Sequence, residues 1–115
     1  MNVIASNTII YCDRWQETVD FYTRGLGLTI RTDKGWFVEL HLSDNARISI
    51  ADQRQATIKS AGGLGITLSV HVEDASAVRN ELLDRGLSPE HMRSVWGSQA
   101  FFIRDPEGTR LEFWS

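Results

Sequence analysis

Glu112 is the residue of this sequence whose type and position most strongly suggest chemistry. It lies in the closing segment, residues 110–114, where apolar and polar residues alternate. Such alternation is typical of a strand with one buried face, and a partly buried carboxylate is unstable unless another group pairs with it. We therefore expect Glu112 to pair with Arg47, with Arg110 or with a cationic ligand. In an enzyme, the same carboxylate would act as a general base.

The histidines form no recognised metal-binding or catalytic pattern. They are His41, His71 and His91. No two of them have the spacing of paired ligands on one helix or strand, so we expect surface or edge positions for all three. An atypical metal site built from His41, Glu39 and Glu112 is an alternative.

The composition is that of one soluble globular domain. The chain has 115 residues, 42% hydrophobic and 23% charged, and a net charge of −3 with both signs interspersed. It therefore lacks the basic field of a nucleic-acid-binding protein. The N-terminus lacks the pattern of a signal peptide, and no apolar run is long enough to cross a membrane. Cys12, the one cysteine, is expected to be a small buried hydrophobe and favours a cytoplasmic location.

Two similar series of elements must position these residues. The first series has predicted strands at residues 3–11, 28–32, 36–42 and 47–51, with a helix at residues 14–24. The second has predicted strands at residues 65–72, 88–95, 99–104 and 109–114, with a helix between Asp74 and Gly86. Asp13 and Asp74 are predicted to be the N-caps of the two helices, with Gln16 completing a capping box for the first.

The closing strands of the two series correspond residue for residue, Arg47-Ile48-Ser49-Ile50 against Arg110-Leu111-Glu112-Phe113. The sequence therefore predicts an α+β fold of two tandem βαβββ modules, residues 1–52 and 64–115, joined by a linker at residues 53–63 within a single domain. Each amphipathic helix can cover one face of its sheet. The remaining faces would then form a shared concave, half-barrel cleft, which is a common place for a ligand.

A turn precedes the last strand. Pro106 fixes φ near −65°, Asp105 can accept hydrogen bonds from the turn backbone, and Gly108 tolerates a positive φ. The sequence therefore predicts a tight turn directly before the strand that carries Glu112.

With this architecture, the sequence resembles the vicinal oxygen chelate superfamily, which includes glyoxalase I, extradiol dioxygenases, fosfomycin resistance enzymes and bleomycin resistance proteins. The resemblance rests on residues 17–28, ETVDFYTRGLGL, and residues 105–113, DPEGTRLEF. In metal-dependent members, equivalent strands of both halves supply His or Glu ligands. Glu112 matches one such position, whereas Asn7, Ser49 and Gly65 match the others. Because Ser and Gly side chains cannot replace His here, we predict no cofactor and expect no divalent metal.

The resemblance implies a metal-independent small-molecule-binding protein like the bleomycin resistance proteins, which would sequester a drug or metabolite and confer antibiotic resistance. Trp96 is the leading candidate for a ligand contact, since loops beside a cleft can close over it. The predicted ligand-binding residues are Phe37, Arg47, Ser49, Trp96, Phe102, Arg110 and Glu112. A homodimer is also expected from the resemblance.

Two other classes of function stay open. One is a metal-dependent lyase, isomerase or dioxygenase of the same superfamily with an atypical site. The other is an interaction or sensor module whose cleft is filled by side chains, with Glu112 paired to an arginine.

Overall fold

Two four-stranded sheets form the framework of the protein, in a computed structural model that describes all of residues 1–115. The first series of elements is β1 (Ser6–Cys12), α1 (Trp15–Asp20), a π-helical segment (Phe21–Gly25), β2 (Thr29–Asp33), β3 (Phe37–Ser43) and β4 (Ala46–Asp52). The second is β5 (Thr67–His71), α2 (Ala75–Asp84), β6 (Arg93–Val95), β7 (Ser98–Arg104) and β8 (Arg110–Trp114). The predicted α+β fold with two tandem βαβββ modules is confirmed.

The two sheets have the same topology. Their strand orders are β1-β4-β3-β2 and β5-β8-β7-β6. In each, the first strand lies parallel to the closing strand, and the closing strand pairs antiparallel with the strand before it. The chain divides into two compact units, Met1–Gly62 (unit 1) and Gly63–Ser115 (unit 2). Neither unit contains a helix long and apolar enough to cross a membrane.

The core of unit 1 lies between α1 and its sheet. Val38, Leu40, Ile48 and Ile50, which alternate along β3 and β4, are all buried. Burying a side chain of this kind contributes about 1.5–3 kcal/mol. The indole Nε1 of Trp15 donates to the backbone oxygen of Ile50 at 2.9 Å, which fixes α1 against β4.

The core of unit 2 is built in the same way. Phe101, Ile103, Leu111 and Phe113 are buried, and the rings of Phe101 and Phe113 stack with their centroids 5.3 Å apart. These residues alternate with more exposed ones along β7 and β8. The strand predicted at residues 65–72 begins later, at Thr67, and leaves Ile66 exposed.

The predicted start of the first helix is wrong. Arg14 is the N-cap of α1, and no side chain caps it. The Asp13 carboxylate accepts instead from Gln53 Nε2 at 3.1 Å, and Gln16 Nε2 donates to Asp20 Oδ1. The N-cap of α1 thus lies one residue later than the sequence predicts.

The helix predicted at residues 14–24 is present at residues 15–25, but its second half, Phe21–Gly25, is π-helical. Thr18 and Thr23 each donate their hydroxyl to a backbone oxygen four residues earlier, at 2.7 Å. Such hydrogen bonds compete with the regular α-helical pattern. By contrast, the predicted N-cap of α2 is confirmed, because Asp74 Oδ1 accepts from the backbone N–H of Ala77 at 3.1 Å.

The turn before β8 has the predicted chemistry. Asp105 is 4% exposed, and its Oδ1 accepts from the backbone N–H groups of Glu107 and Thr109, each at 2.9 Å. Gly108 has a φ of +97°. Gly63 packs so closely on this turn that a Cβ there would lie 2.3 Å from the Thr109 nitrogen. The turn therefore holds the start of β8 firmly.

Candidate functional site

The register of the parallel strands shows which residues of the two units are equivalent. Asn7 is the partner of Arg47 in unit 1, and Thr67 is the partner of Arg110 in unit 2. Thr67 therefore occupies the place that Asn7 has in unit 1. The assignment of this place to Gly65 is wrong, because Gly65 precedes β5.

Glu112 is half-buried on β8, and its nearest polar partner is a serine. Ser69 Oγ, on the neighbouring β5, donates to Glu112 Oε1 at 2.6 Å. Arg110 does not pair with it, because its Nε donates to Thr67 Oγ1 at 2.9 Å and its guanidinium lies 4.7 Å from the ring centroid of Phe102. The predicted Glu112–Arg110 pair is therefore wrong, and the carboxylate has no ion pair within unit 2.

Glu112 contributes to a pocket of about 400 Å³ in unit 2. Its walls come from β5, β8 and the β6–β7 hairpin. The lining residues are Ser69, Val95, Trp96, Ser98, Ala100, Glu112 and Trp114. Two indoles and one carboxylate thus share a single concave surface.

A reversal of residue size helps to explain this pocket. In unit 1, Phe37 of β3 pairs with Ala51 of β4, whereas in unit 2 Ala100 of β7 pairs with Trp114 of β8. The large residue of the pair therefore lies on β3 in unit 1 and on the closing strand, β8, in unit 2. The small Ala100 side chain leaves space on β7 beside the Trp114 indole.

Trp96 has an unusual backbone for its residue type. Val95 pairs with Ser98, so Trp96 and Gly97 form a two-residue hairpin loop, with φ values of +49° and +79°. Positive φ at both positions is the pattern of a type I′ turn, in which Asn-Gly is preferred. Trp96 is the one non-glycine residue with positive φ, and its side chain is fully exposed. Strain of this kind at a bulky residue often marks a functional position.

His71 stacks on Trp114, a contact that the sequence analysis did not predict. The ring centroids are 4.0 Å apart and the planes are 12° from parallel. His71 and Trp114 are partners in the parallel β5–β8 pair, so the strand register is the signal that could have revealed the stack. The stack lies at the edge of the pocket, because Trp114 is one of the lining residues and His71 is not.

The remaining predicted site residues lie elsewhere. Phe102 carries the guanidinium of Arg110, and neither residue lines this pocket. The other three belong to unit 1, namely Phe37, Arg47 and Ser49. Phe37 meets Trp36 edge to face at 5.6 Å. Ser49 is fully buried, and its Oγ donates to Asn7 Oδ1 at 2.8 Å.

Arg47 is held near a carboxylate of its own unit. Its Nε lies 3.9 Å from Glu39 Oε1, too far for a hydrogen bond, and is buried without a hydrogen-bond partner. Arg31 Nε lies closer to the same oxygen, at 3.3 Å. Glu39 is therefore the acidic neighbour of Arg47 within unit 1, whereas the pairing of Arg47 with Glu112 of unit 2 stays a prediction.

The residues at the four metal-ligand positions of the superfamily do not fit a catalytic divalent metal. Asn7, Ser49, Thr67 and Glu112 provide one carboxylate, one amide and two hydroxyls, and no imidazole. The amide of Asn7 already accepts from Ser49, and the Thr67 hydroxyl accepts from the Arg110 guanidinium. A cation beside a hydroxyl opposes the binding of a divalent metal.

No group of three or more His, Cys, Asp or Glu side chains within either unit could hold a metal ion. The atypical metal site of His41, Glu39 and Glu112 takes residues from both units and stays a prediction.

Comparison with solved structures shows the same fold in proteins of low sequence identity. Lactoylglutathione lyase from Agrobacterium tumefaciens is similar with a TM-score of 0.75 and 18% identity, over 94% of this chain and 90% of that one. A glyoxalase/bleomycin resistance protein/dioxygenase from Nocardioides gives 0.80 and 15% identity, over 99% and 83%. A glyoxalase/bleomycin resistance protein from Streptomyces sp. CB03234 gives 0.77 and 14% identity, over 96% and 99%. At these identities the likeness shows the fold alone.

Comparison with curated protein sequences found no significant match. A family model does match, over residues 4–113, and its description is the Glyoxalase/Bleomycin resistance protein/Dioxygenase superfamily. The match covers both units and agrees with the fold of the solved structures. The chain therefore belongs to the glyoxalase/bleomycin resistance protein/dioxygenase superfamily, which is the vicinal oxygen chelate superfamily that its sequence resembles.

Proposed function

We propose that this protein binds a small aromatic cation in the pocket of unit 2 without a metal, and that it sequesters this compound as a drug or metabolite. The observation that carries the proposal is Trp96, a fully exposed indole on a strained loop, in the same pocket as the Glu112 carboxylate. A strained and exposed tryptophan has no evident role in stability, whereas contact with a ligand would account for it.

The size and lining of the pocket support small-molecule binding. Its volume of about 400 Å³ lies within the usual range of ligand sites, roughly 300–1,000 Å³. Trp96 and Trp114 supply two aromatic surfaces. Stacking or cation–π contact with each indole would contribute about 0.5–2 kcal/mol.

The polar groups of the pocket favour a cation. Glu112 is acidic, half-buried and not paired with an arginine in unit 2, and Ser69 holds one of its oxygens in place. A positively charged group of the ligand would supply the missing partner.

The same lining favours binding over catalysis. Glu112 is the only Asp, Glu, His, Lys, Arg or Cys residue among the lining residues. General acid–base chemistry commonly needs a second positioned proton donor or acceptor. The homodimer and the cytoplasmic location remain predictions from the sequence analysis.

The test is a titration of the purified protein with bleomycin and, separately, with the planar cation ethidium, followed by tryptophan fluorescence. We expect saturable quenching by at least one of them, unchanged by a metal chelator, and recovery of the bound compound without chemical change. Glu112→Gln should weaken binding at least tenfold, which is about 1.4 kcal/mol. Glu81→Gln, an equal charge change on α2, is the matched control.

Three outcomes would contradict the proposal. The first is that neither compound binds. The second is that the compound is converted to a product or that chelation abolishes binding, which would favour the metal-dependent enzyme. The third is equal loss of affinity in Glu112→Gln and Glu81→Gln, which would show that the pocket is not the binding site.

A further inference from the structure

A second pocket of unit 2 is built around two arginines. Arg104 of β7 and Arg110 of β8 are directly opposite partners in the antiparallel register, so their side chains lie on the same face. Both line a pocket of about 320 Å³ together with Gly63, Leu64, Gly65, Ile66 and Thr67. Like charges directly opposite each other on a sheet are destabilising, so this arrangement needs a reason.

Neither arginine is neutralised by the chain itself. No ion pair of the protein includes Arg104 or Arg110, and no acidic residue lines the pocket. Two positive charges therefore face a concave surface without a counter-charge.

Uncharged groups nevertheless hold both guanidinium groups in place. Arg104 Nη1 donates to the backbone oxygen of Gly108 at 2.9 Å. Arg110 Nε donates to Thr67 Oγ1 at 2.9 Å, and its guanidinium stacks on Phe102. Each arginine keeps further N–H donors that these contacts do not use. Because the two groups are already oriented, an incoming acceptor would lose little side-chain entropy on binding.

The equivalent place in unit 1 lacks this combination. His41 is the partner of Arg47 there, as Arg104 is the partner of Arg110. Glu39 stands where unit 2 has Phe102, since each is the partner of the central residue of the closing strand. Unit 1 thus has an acid beside its arginine, whereas unit 2 has an aromatic ring and a second cation.

We propose that the Arg104–Arg110 pocket binds an oxyanion, the phosphate or carboxylate group of a small molecule. Two guanidinium groups on adjacent strands can each donate two hydrogen bonds to such a group. Gly65 adds room, because a Cβ at this position would meet no atom within 4 Å. This site shares no lining residue with the pocket of Trp96 and Glu112, so it does not depend on the function proposed above.

The test is isothermal titration of the purified protein with inorganic phosphate and, separately, with succinate, at low and constant ionic strength. We expect saturable binding of at least one probe. Arg104→Gln and Arg110→Gln should each weaken it at least tenfold. Arg85→Gln removes the same charge from the end of α2, where Arg85 pairs with Glu81, and should leave the affinity within twofold. Arg110→Lys should restore only part of the affinity, because an ammonium group cannot form the bidentate contact.

The two probes distinguish a phosphate from a carboxylate as the natural group. Absence of saturable binding by both would overturn the proposal. So would binding that survives both arginine substitutions, or an equal loss in Arg85→Gln, which would indicate a general charge effect. Trp96→Asn should leave phosphate and succinate affinity unchanged, and this arm separates the oxyanion site from the aromatic pocket.

Discussion

The two units share strand order and register. They differ in the partners of the polar side chains on the sheet face opposite the core. In unit 1, Arg47 lies beside the Glu39 carboxylate. In unit 2, Glu112 has only a serine hydroxyl as its partner, and Arg104 and Arg110 are held by uncharged acceptors. The repeated fold provides the same positions twice, and on this face unit 2 leaves Arg104, Arg110 and Glu112 without ion pairs. This difference supports our proposal that unit 2 carries the ligand sites.

The hairpin turns of the two units differ as well. In unit 1, Asp44 and Asn45, which connect β3 to β4, are both exposed. In unit 2, Asp105, Glu107 and Thr109 of the β7–β8 turn are buried. The buried turn fixes the start of the strand that carries Arg110 and Glu112. The exposed turn of unit 1 has no buried side chain that could fix β4 in the same way.

The largest expected effect comes from comparing the acidic residues of these two turns. Asp105→Ala removes an acceptor of two backbone N–H groups at a buried position. It should lower the free energy of unfolding by about 3 kcal/mol. Asp44→Ala, at an exposed position of the equivalent turn, should change it by less than about 0.5 kcal/mol. Urea unfolding of both variants measures the difference, and equal effects would mean that the turns do not differ in this way.

A smaller effect should follow from giving unit 2 the acid that unit 1 has. Phe102→Glu places a carboxylate near Arg110, as Glu39 is near Arg47. It should weaken phosphate and succinate binding at least tenfold, or about 1.4 kcal/mol, because the arginine gains an internal counter-charge. Phe102→Leu, which removes the ring but adds no charge, should have the weaker effect by calorimetry. The reverse order would show that stacking, rather than the missing acid, sets the affinity.

The hairpin between β6 and β7, compared with the one between β2 and β3, predicts a substitution that raises stability. In unit 1 the connection between β2 and β3 uses turn-forming residues, since Asp33 Oδ1 accepts from the backbone N–H of Gly35, whose φ is +83°. The Trp96-Gly97 loop of unit 2 has a tryptophan at positive φ instead. Trp96→Asn should therefore raise the free energy of unfolding by about 1 kcal/mol, while it weakens ligand binding. Loss of both stability and binding would show that the indole packs for structural reasons.

Local patterns predicted the element order, the buried faces and the turn at Asp105, because each depends on neighbours within a few residues. The start of α1 was not predictable in this way, since Asp13 bonds to Gln53 from outside the helix. The place of Thr67 required the strand register, which no single strand contains. The pocket required a cross-strand reversal of size, Ala100 with Trp114, that alternation along one strand does not show.

Asp52 marks a last difference between the units. It is the last residue of the closing strand of unit 1, and its backbone N–H donates to the oxygen of Trp36. Ser115 is the equivalent residue of unit 2, where its backbone N–H donates to the oxygen of Gln99. Asp52 has a titrating side chain, whereas the side chain of Ser115 does not titrate. At this pair of equivalent positions, only Asp52 of unit 1 should make the free energy of unfolding depend on pH.

The smallest expected effect is the loss of the pH dependence due to Asp52 when this residue is replaced by asparagine. Hydrogen bonds from Arg54 hold the pKa of the Asp52 carboxyl below its usual value near 3.8. Folding thus favours the ionised form, so its contribution to stability is fully present above the unfolded pKa and is lost as the pH falls through the folded pKa. Asp52→Asn should lower stability slightly at pH 7, because Arg54 is largely exposed and solvent screens the pair. Urea unfolding from pH 7 to pH 2 should show the difference from the natural chain shrinking below about pH 4, whereas the exposed Asp44→Asn should follow the natural chain throughout. A difference that persists unchanged at pH 2 would mean that Asp52 stabilises unit 1 by packing rather than by charge.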